Sequence, residues 1–217
     1  MVEVIPAIIA KNFKELKEKV AQVERYCHWV QLDIMDGKFT PRKTWNNSKE
    51  WSDFKGQGSD VNLEVHLMVK NPFKAAEAWL KNGAQRIIFH WESLGKKPEK
   101  KFLKIKEKAK KMKREIGIAL NPETSWMEIE KLISQIDIIL LMTVHPGFGG
   151  QIFLEEVLPK IKSLRQKHLN VKIEVDGGIN PETGKKCLEA GADILVSNSY
   201  IFESKNIARA IEKLKNL

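Results

Sequence analysis

The chain has 217 residues, 42% of them hydrophobic and 30% charged, with a formal net charge of +9. That length supports a substantial core in one domain spanning 1–217, and its apolar runs are far shorter than the roughly 20 residues of a membrane helix. The start, Met1 to Ile9, alternates and contains Glu3, unlike a signal peptide. A soluble, cytoplasmic protein with no membrane partner is expected.

Cys27 and Cys187 lie far apart in no metal or redox spacing, which excludes a disulfide framework and a zinc ribbon. Both read as packing residues. The excess positive charge raises nucleic acid or an anionic small molecule as partner. Much of it falls between Lys96 and Arg114, where Phe102, Leu103, Ile105, Ala109 and Met112 recur near helical spacing and lysines fill the other positions. This is the pattern of a solvated outer helix face. Without aromatic interleaving or a recognised motif, nucleic acid is not expected as a partner.

In chain order, Val2 to Ile9 reads as a strand and Phe13 to Glu24 as an amphipathic helix capped by Asn12. A second strand, Trp29 to Met35, leads through a loop to a short helical piece near Ser48 to Phe54. Asn62 to Val69 is a third strand, followed by a helix from Pro72 to Leu80 that Asn82-Gly83 ends. Arg86 to His90 is a fourth strand, before the lysine-rich helix. Ile116 to Leu120 is a fifth, with a helix over Ser125 to Ile133, and Ile136 to Thr143 a sixth. A loop with three glycines in four positions, Gly147 to Gly150, then opens a helical pattern over Phe153 to Lys167. Val171 to Val175 is a seventh strand, stopping at Asp176-Gly177-Gly178. Asn180-Pro181 starts a helix ending at Ala190-Gly191, Ile194 to Ser197 is an eighth strand, and Ile207 to Leu214 a closing helix.

Strand and helix alternate throughout, which argues an α/β protein with a parallel sheet. Eight such units point to a closed (β/α)₈ TIM barrel with few insertions, or else to an open doubly wound sheet. A barrel does its chemistry at the C-terminal ends of the strands. There, the two-residue period puts Gln31, Asp33 and Met35 on one face of the second strand and Glu64, His66 and Met68 on one face of the third. Glu174 and Asp176 share a face of the seventh.

Each of these could be a satisfied structural polar group. Converging carboxylates with a histidine also suit a metal or proton transfer. Two carboxylates on opposite sides of a pocket can take a proton from one face of a carbon acid and return one to the other, given partial desolvation and a cation or hydrogen bonds for the enolate charge. His66, Asp33 and Asp176 could supply imidazole and carboxylate ligands. Phosphate would sit on the glycine loops after the sixth and seventh strands and the turn after the eighth. A glycine-rich surface turn without a ligand is the plainer account of the first loop.

Leu32-Asp33-Ile34-Met35-Asp36-Gly37, His66-Leu67-Met68-Val69, Met142-Thr143-Val144, Pro146-Gly147-Phe148-Gly149-Gly150-Gln151 and Val175-Asp176-Gly177-Gly178-Ile179 occur in this order. Together they resemble the ribulose-phosphate 3-epimerase family, as do Asn121-Pro122-Glu123-Thr124 and Gly191-Ala192-Asp193. The resemblance implies a (β/α)₈ barrel that interconverts D-ribulose 5-phosphate and D-xylulose 5-phosphate by proton transfer at C3 through an enediolate held by a divalent metal, usually zinc. It implies Asp33 and Asp176 as acid/base pair and metal ligands, and His66 as a further ligand. Met35, Met68 and Met142 would line the pocket, and Gly147, Phe148, Gly149, Gly150, Gly177, Gly178, Asn198 and Ser199 would hold the phosphate. A homo-oligomer, the pentose phosphate pathway and a small sugar phosphate as partner follow from the same resemblance.

Three positions depart from the family's pattern. Gln31 stands where the family has a metal-ligating histidine, Ala7 where it has a substrate-contacting serine, and Asn198 where it has a glycine. A related ketose phosphate such as allulose 6-phosphate, or a phosphate-binding relative with impaired chemistry, are the alternatives these departures raise. Lys38, Arg42 and Lys43 in the loop after the second strand read as surface charge, with binding of a more anionic substrate as the alternative.

Overall fold

Eight parallel strands follow one another round a closed ring in chain order: β1 (Glu3–Ile8), β2 (Trp29–Met35), β3 (Asn62–Met68), β4 (Arg86–His90), β5 (Glu115–Leu120), β6 (Ile138–Met142), β7 (Ile173–Asp176) and β8 (Ile194–Ser197), with β8 paired back to β1. The computed structural model describes residues 1–55 and 60–217. The expected (β/α)₈ barrel is therefore the observed fold. No helix among the described residues is long and apolar enough to cross a membrane.

The helices form where capping and periodicity place them. In α1 (Phe13–Val23) the Asn12 side chain accepts from the Glu15 amide, and Leu16, Val20 and Val23 face inward. The helices α2 (Ser48–Lys55), α3 (Pro72–Lys81) and α4 (Pro98–Lys111) follow. On α4, Phe102, Ile105 and Ala109 are buried, so its lysines do form an outer face. After β7, α6 (Pro181–Ala190) opens on a reciprocal cap, Asn180 accepting from Glu182 and Thr183 amides while the Thr183 hydroxyl accepts from Asn180. Both cysteines are free and buried.

Two helical segments differ from expectation. The stretch after β5 is a run of 3₁₀ turns, Trp126–Gln135, rather than an α-helix. Its buried side chains Trp126, Ile129 and Leu132 recur every three residues, the 3₁₀ period, so this winding stacks them on one face. After β6, the helix α5 (Leu158–Lys167) begins five residues later than the apolar pattern does. Leu154 is held extended by its amide donating to the Thr143 carbonyl at 2.9 Å, and Pro159 suits only a helix's first turn. A four-residue helix α7 (Ser199–Phe202), too short to show as periodicity, precedes α8 (Ile207–Lys215).

Outward strand residues such as Leu32, Ile34, Val65, Leu67, Ile87 and Phe89 pack beneath the helices. Inside the ring a separate apolar layer of Ile5, Ile88, Ala119, Ile138, Leu140, Ile194 and Val196 fills the barrel. Glu64 and Glu174, which the period rule grouped with His66 and Asp176, lie toward the N-terminal end of the barrel instead. There Arg86 donates to Glu64 at 2.6 Å and Glu115 at 2.7 Å, approaches Glu174 to 3.7 Å, and packs its guanidinium over Trp29 at 4.1 Å. Burial first, then the charge of Glu64, pushes Glu174 well above the usual carboxylate range. Glu174 thus lies beside an Arg86–Glu64 ion pair.

Removing the cation leaves buried carboxylates without a partner. Arg86→Met is expected to cost about 3–5 kcal/mol in denaturant unfolding, with most of that recovered when Glu64→Leu and Glu174→Leu are added.

Candidate active site

The strand alternation that buries Leu32 and Ile34 under helices turns Gln31, Asp33 and Met35 into the barrel. Parallel pairing sets Asp33 beside His66 and Met35 beside Met68, and on the far side Met142 beside Asp176. One ligand atom each from Asp33, His66 and Asp176 fall within 4.8 Å of one another, a grouping able to hold a metal ion. His66 Nδ1 lies 3.3 Å from Asp33 Oδ1 and 3.6 Å from Asp176 Oδ2. Gln31 Nε2 donates to both carboxylates, at 2.9 Å to Asp33 and 2.7 Å to Asp176. Gln31 Oε1 is buried without a partner.

Electrostatics follow from this packing. Burial raises the Asp33 pKa, with the charge of Asp176 adding to it and the hydrogen bond from His66 opposing. For His66 burial acts downward, but the two carboxylates outweigh it and hold the imidazole up to about 9. Asp33 and His66 thus share a nearly dry site in which both hold protons more tightly than in water, and the paired carboxylates attract a cation.

Above the cluster opens a cavity. Asp33 and Asp176 reach it, Met35, Met68 and Met142 line it with Ile9 and Val144, and the Gly147–Gly150 loop, Gly177, Gly178, Asn198 and Ser199 form its other wall. Gly177 and Gly178 take φ of +124° and +64°, a region that side chains avoid. A Cβ on Gly178 would stand 2.9 Å from the Phe153 amide nitrogen. The Gly147–Gly150 loop is tied down by Gln151, whose side-chain amide donates to the carbonyls of His145 and Phe148 at 2.7 and 2.8 Å. Phe148 remains 53% exposed at the mouth.

The predicted residues are thus brought together, with distinctions. Gln31 and His66 lie fully buried beneath the carboxylates rather than in the cavity wall. Ala7 is buried behind Asn198, whose Nδ2 donates to the Ala7 carbonyl at 2.6 Å. Asn198 has φ −108°, so the position needs no glycine. Lys38 and Lys43 are exposed, and neither they nor Arg42 lines the cavity. Sequence reasoning passed over His90 and Glu92. His90 Nε2 lies 2.9 Å from His66 Nε2, and Glu92 Oε2 lies 3.4 Å from His90 Nδ1. A histidine at the last position of a barrel strand was the available signal.

A closed parallel barrel with paired carboxylates, an imidazole and a glycine-walled cavity at its C-terminal end defines an enzyme of the (β/α)₈ class. Residues 3–202 match the model of the ribulose-phosphate 3 epimerase family. The chain is 38% identical to the ribulose-phosphate 3-epimerase of Synechocystis over 98% of this chain and 93% of that one. It is 34% identical to the Bacillus subtilis ribulose-phosphate 3-epimerase over 99% of each. Among solved structures, 3-keto-L-gulonate-6-phosphate decarboxylase from Vibrio cholerae superposes with a TM-score of 0.76 at 11% identity, covering 100% of this chain and 97% of that one. The 3-hexulose-6-phosphate synthase of Salmonella typhimurium gives 0.75 at 13%, covering 99% and 97%. At such identities these two share the fold alone. The chain belongs to the ribulose-phosphate 3-epimerase family and is an isomerase, an epimerase acting on carbohydrates.

Because the His66 pKa in the fold exceeds its ordinary 6.5, protonation of His66 stabilises the native state. That contribution is complete below about pH 6.5 and is lost as pH rises through about 9. Asp33, also raised, acts in the same direction from the acid side. With chelator present, the melting temperature is expected to fall as pH climbs from 6.5 to 9, and His66→Gln to flatten that limb; differential scanning calorimetry across pH checks both.

Proposed function

We propose that this protein interconverts D-ribulose 5-phosphate and D-xylulose 5-phosphate by proton transfer at C3 between two carboxylates. The observation that carries the reading is the placement of Asp33 and Asp176. Both reach the cavity floor, joined through one amide, with an imidazole beneath and a glycine wall beside them. One carboxylate takes the C3 proton, the C3–H electron pair moves into C2 as the C2 carbonyl becomes an enediolate oxygen, and the other carboxylate delivers a proton to the opposite face. The electron pair then returns to C3 and the carbonyl re-forms. Desolvation supports this, since a raised carboxyl pKa suits an acid that must both give and accept protons near neutrality. Met35, Met68 and Met142 offer a polarizable apolar wall that excludes water from the planar intermediate.

The phosphate is assigned to the wall of Gly147–Gly150, Gly177, Gly178, Asn198 and Ser199, where close backbone approach suits an anion. The donor chemistry also fits a divalent cation, zinc by family likeness. Asp33, His66 and Asp176 would hold it, and Gln31, which turns its Nε2 to both carboxylates, would join them as a fourth donor by presenting Oε1 there instead. When bound, such an ion supplies Lewis-acid stabilisation of the enediolate oxygens.

Asp33→Asn and Asp176→Asn are each expected to lower deuterium exchange at C3 by at least about 100-fold with an unchanged circular dichroism spectrum. Proton NMR of D-ribulose 5-phosphate in D₂O reads this, and near-normal turnover in either variant sinks the assignment. Gln31→His, replacing an amide by imidazole, is expected to tighten Zn²⁺ binding by about tenfold or more in a chelator competition. Unchanged affinity would remove Gln31 from the cation site.

A further inference from the structure

The buried polar groups that this chemistry leaves unused are His90 and Glu92. The His90 ring stacks on that of His66 with centroids 5.0 Å apart, and the two Nε2 atoms meet at 2.9 Å. Both histidines are fully buried. On its other side His90 Nδ1 faces Glu92 Oε2 at 3.4 Å. That contact is long for a hydrogen bond, but each atom is buried with no other partner. Glu92 Oε1 accepts from the Asn121 amide at 2.8 Å and from the Thr124 hydroxyl. Lys160 in turn donates to the Asn121 and Pro122 carbonyls at 2.8 and 2.6 Å. The Asn121-Pro122-Glu123-Thr124 segment therefore works as the clamp on Glu92, and Phe39 lies against His90 at 4.8 Å between ring centres.

Proton accounting along this chain has one solution. Two Nε2 atoms at hydrogen-bond distance share one proton, so one ring donates and the other accepts. A carboxylate can only accept, which puts the His90 proton on Nδ1 and leaves its Nε2 lone pair free. His66 then has to donate from Nε2. His66 Nδ1 also faces carboxylates, Asp33 and Asp176, which can only accept, so without a cation it carries a second proton, and a cation would take that proton's place.

We infer that Glu92 is a positioning residue: acting through His90, it holds the proton on His66 Nε2 and leaves Nδ1, in the space between the two carboxylates, as the nitrogen that exchanges its proton for a cation. The inference deepens the reading of Asp33, His66 and Asp176 as a cation site and does not depend on the epimerase reaction. A carboxylate–imidazole–imidazole chain of this kind orients a ligand and raises its basicity, so its loss shows in metal affinity.

The test is long-range ¹H–¹⁵N correlation of the full chain labelled at histidine nitrogens, assigned with His90→Gln, together with Zn²⁺ affinity against a chromophoric chelator. The metal-free wild type is expected to carry protons on His90 Nδ1 and on both nitrogens of His66, and added Zn²⁺ to displace the proton at His66 Nδ1 while the other two sites keep theirs. Glu92→Leu is expected to give mixed His90 tautomers and roughly 10–100-fold weaker Zn²⁺ binding, whereas Glu92→Gln, which keeps an acceptor, retains most of the affinity. A wild-type His90 protonated at Nε2 overturns the inference even if Glu92→Leu fails to fold. So does wild-type affinity in Glu92→Leu. The expected spectra in a protein without C3 exchange would remove the epimerase reading and leave this one standing.

Discussion

Two carboxylates held in a nearly water-free barrel repel each other, and the arrangement persists because one amide donates to both and one imidazole stands close to both. Gln31 bridges Asp33 and Asp176, and His66 stands below them with Nδ1 directed at each. Burial, with the charge of Asp176 beside it, raises the proton affinity of Asp33, and the paired carboxylates give the cluster its appetite for a cation. Everything above the cluster, from the methionine wall to the glycine loops, depends on those oxygens facing one way.

The barrel keeps a second buried charge cluster separate from the first. Arg86, Glu64 and Glu174 occupy the N-terminal end, and the apolar layer of Ile5, Ile88, Ile138, Leu140 and Ile194 lies inside the same ring. A charge pair costs desolvation wherever it is buried, and Arg86 offsets that cost by serving more than one carboxylate. In the low-dielectric interior, unpaired Glu64 and Glu174 would otherwise bear on Asp176, whose strand carries Glu174 two residues earlier.

The three departures from the family pattern are neighbours in space. Ala7 pairs in register with Gln31, and the Asn198 side chain closes on the Ala7 carbonyl. A hydroxyl is absent at Ala7, while an amide arrives from β8's end at the same place. Positions scattered over 191 residues of sequence are therefore contiguous in the fold, the arrangement in which substitutions couple rather than add.

The sequence by itself determined eight strand–helix units and the faces of the strands, because alternation and helical spacing are local properties, whereas the choice between a closed barrel and an open sheet was not a local one. It also named Asp33, His66 and Asp176, because a strand's last inward positions are countable along the chain and because their motifs match a family. Local rules could not tell how deep each inward residue sits. Glu174 and Asp176 share a face, yet one ends beside Arg86 and the other at the cavity floor. Nor could they show that residues 126–135 wind as 3₁₀ turns, or that Pro159 delays α5. The links from Gln31 to Asp176, from His66 to His90 and from Asn198 to Ala7 span 145, 24 and 191 positions. Only ring closure, a tertiary event with no local signature, brings such groups within hydrogen-bond reach.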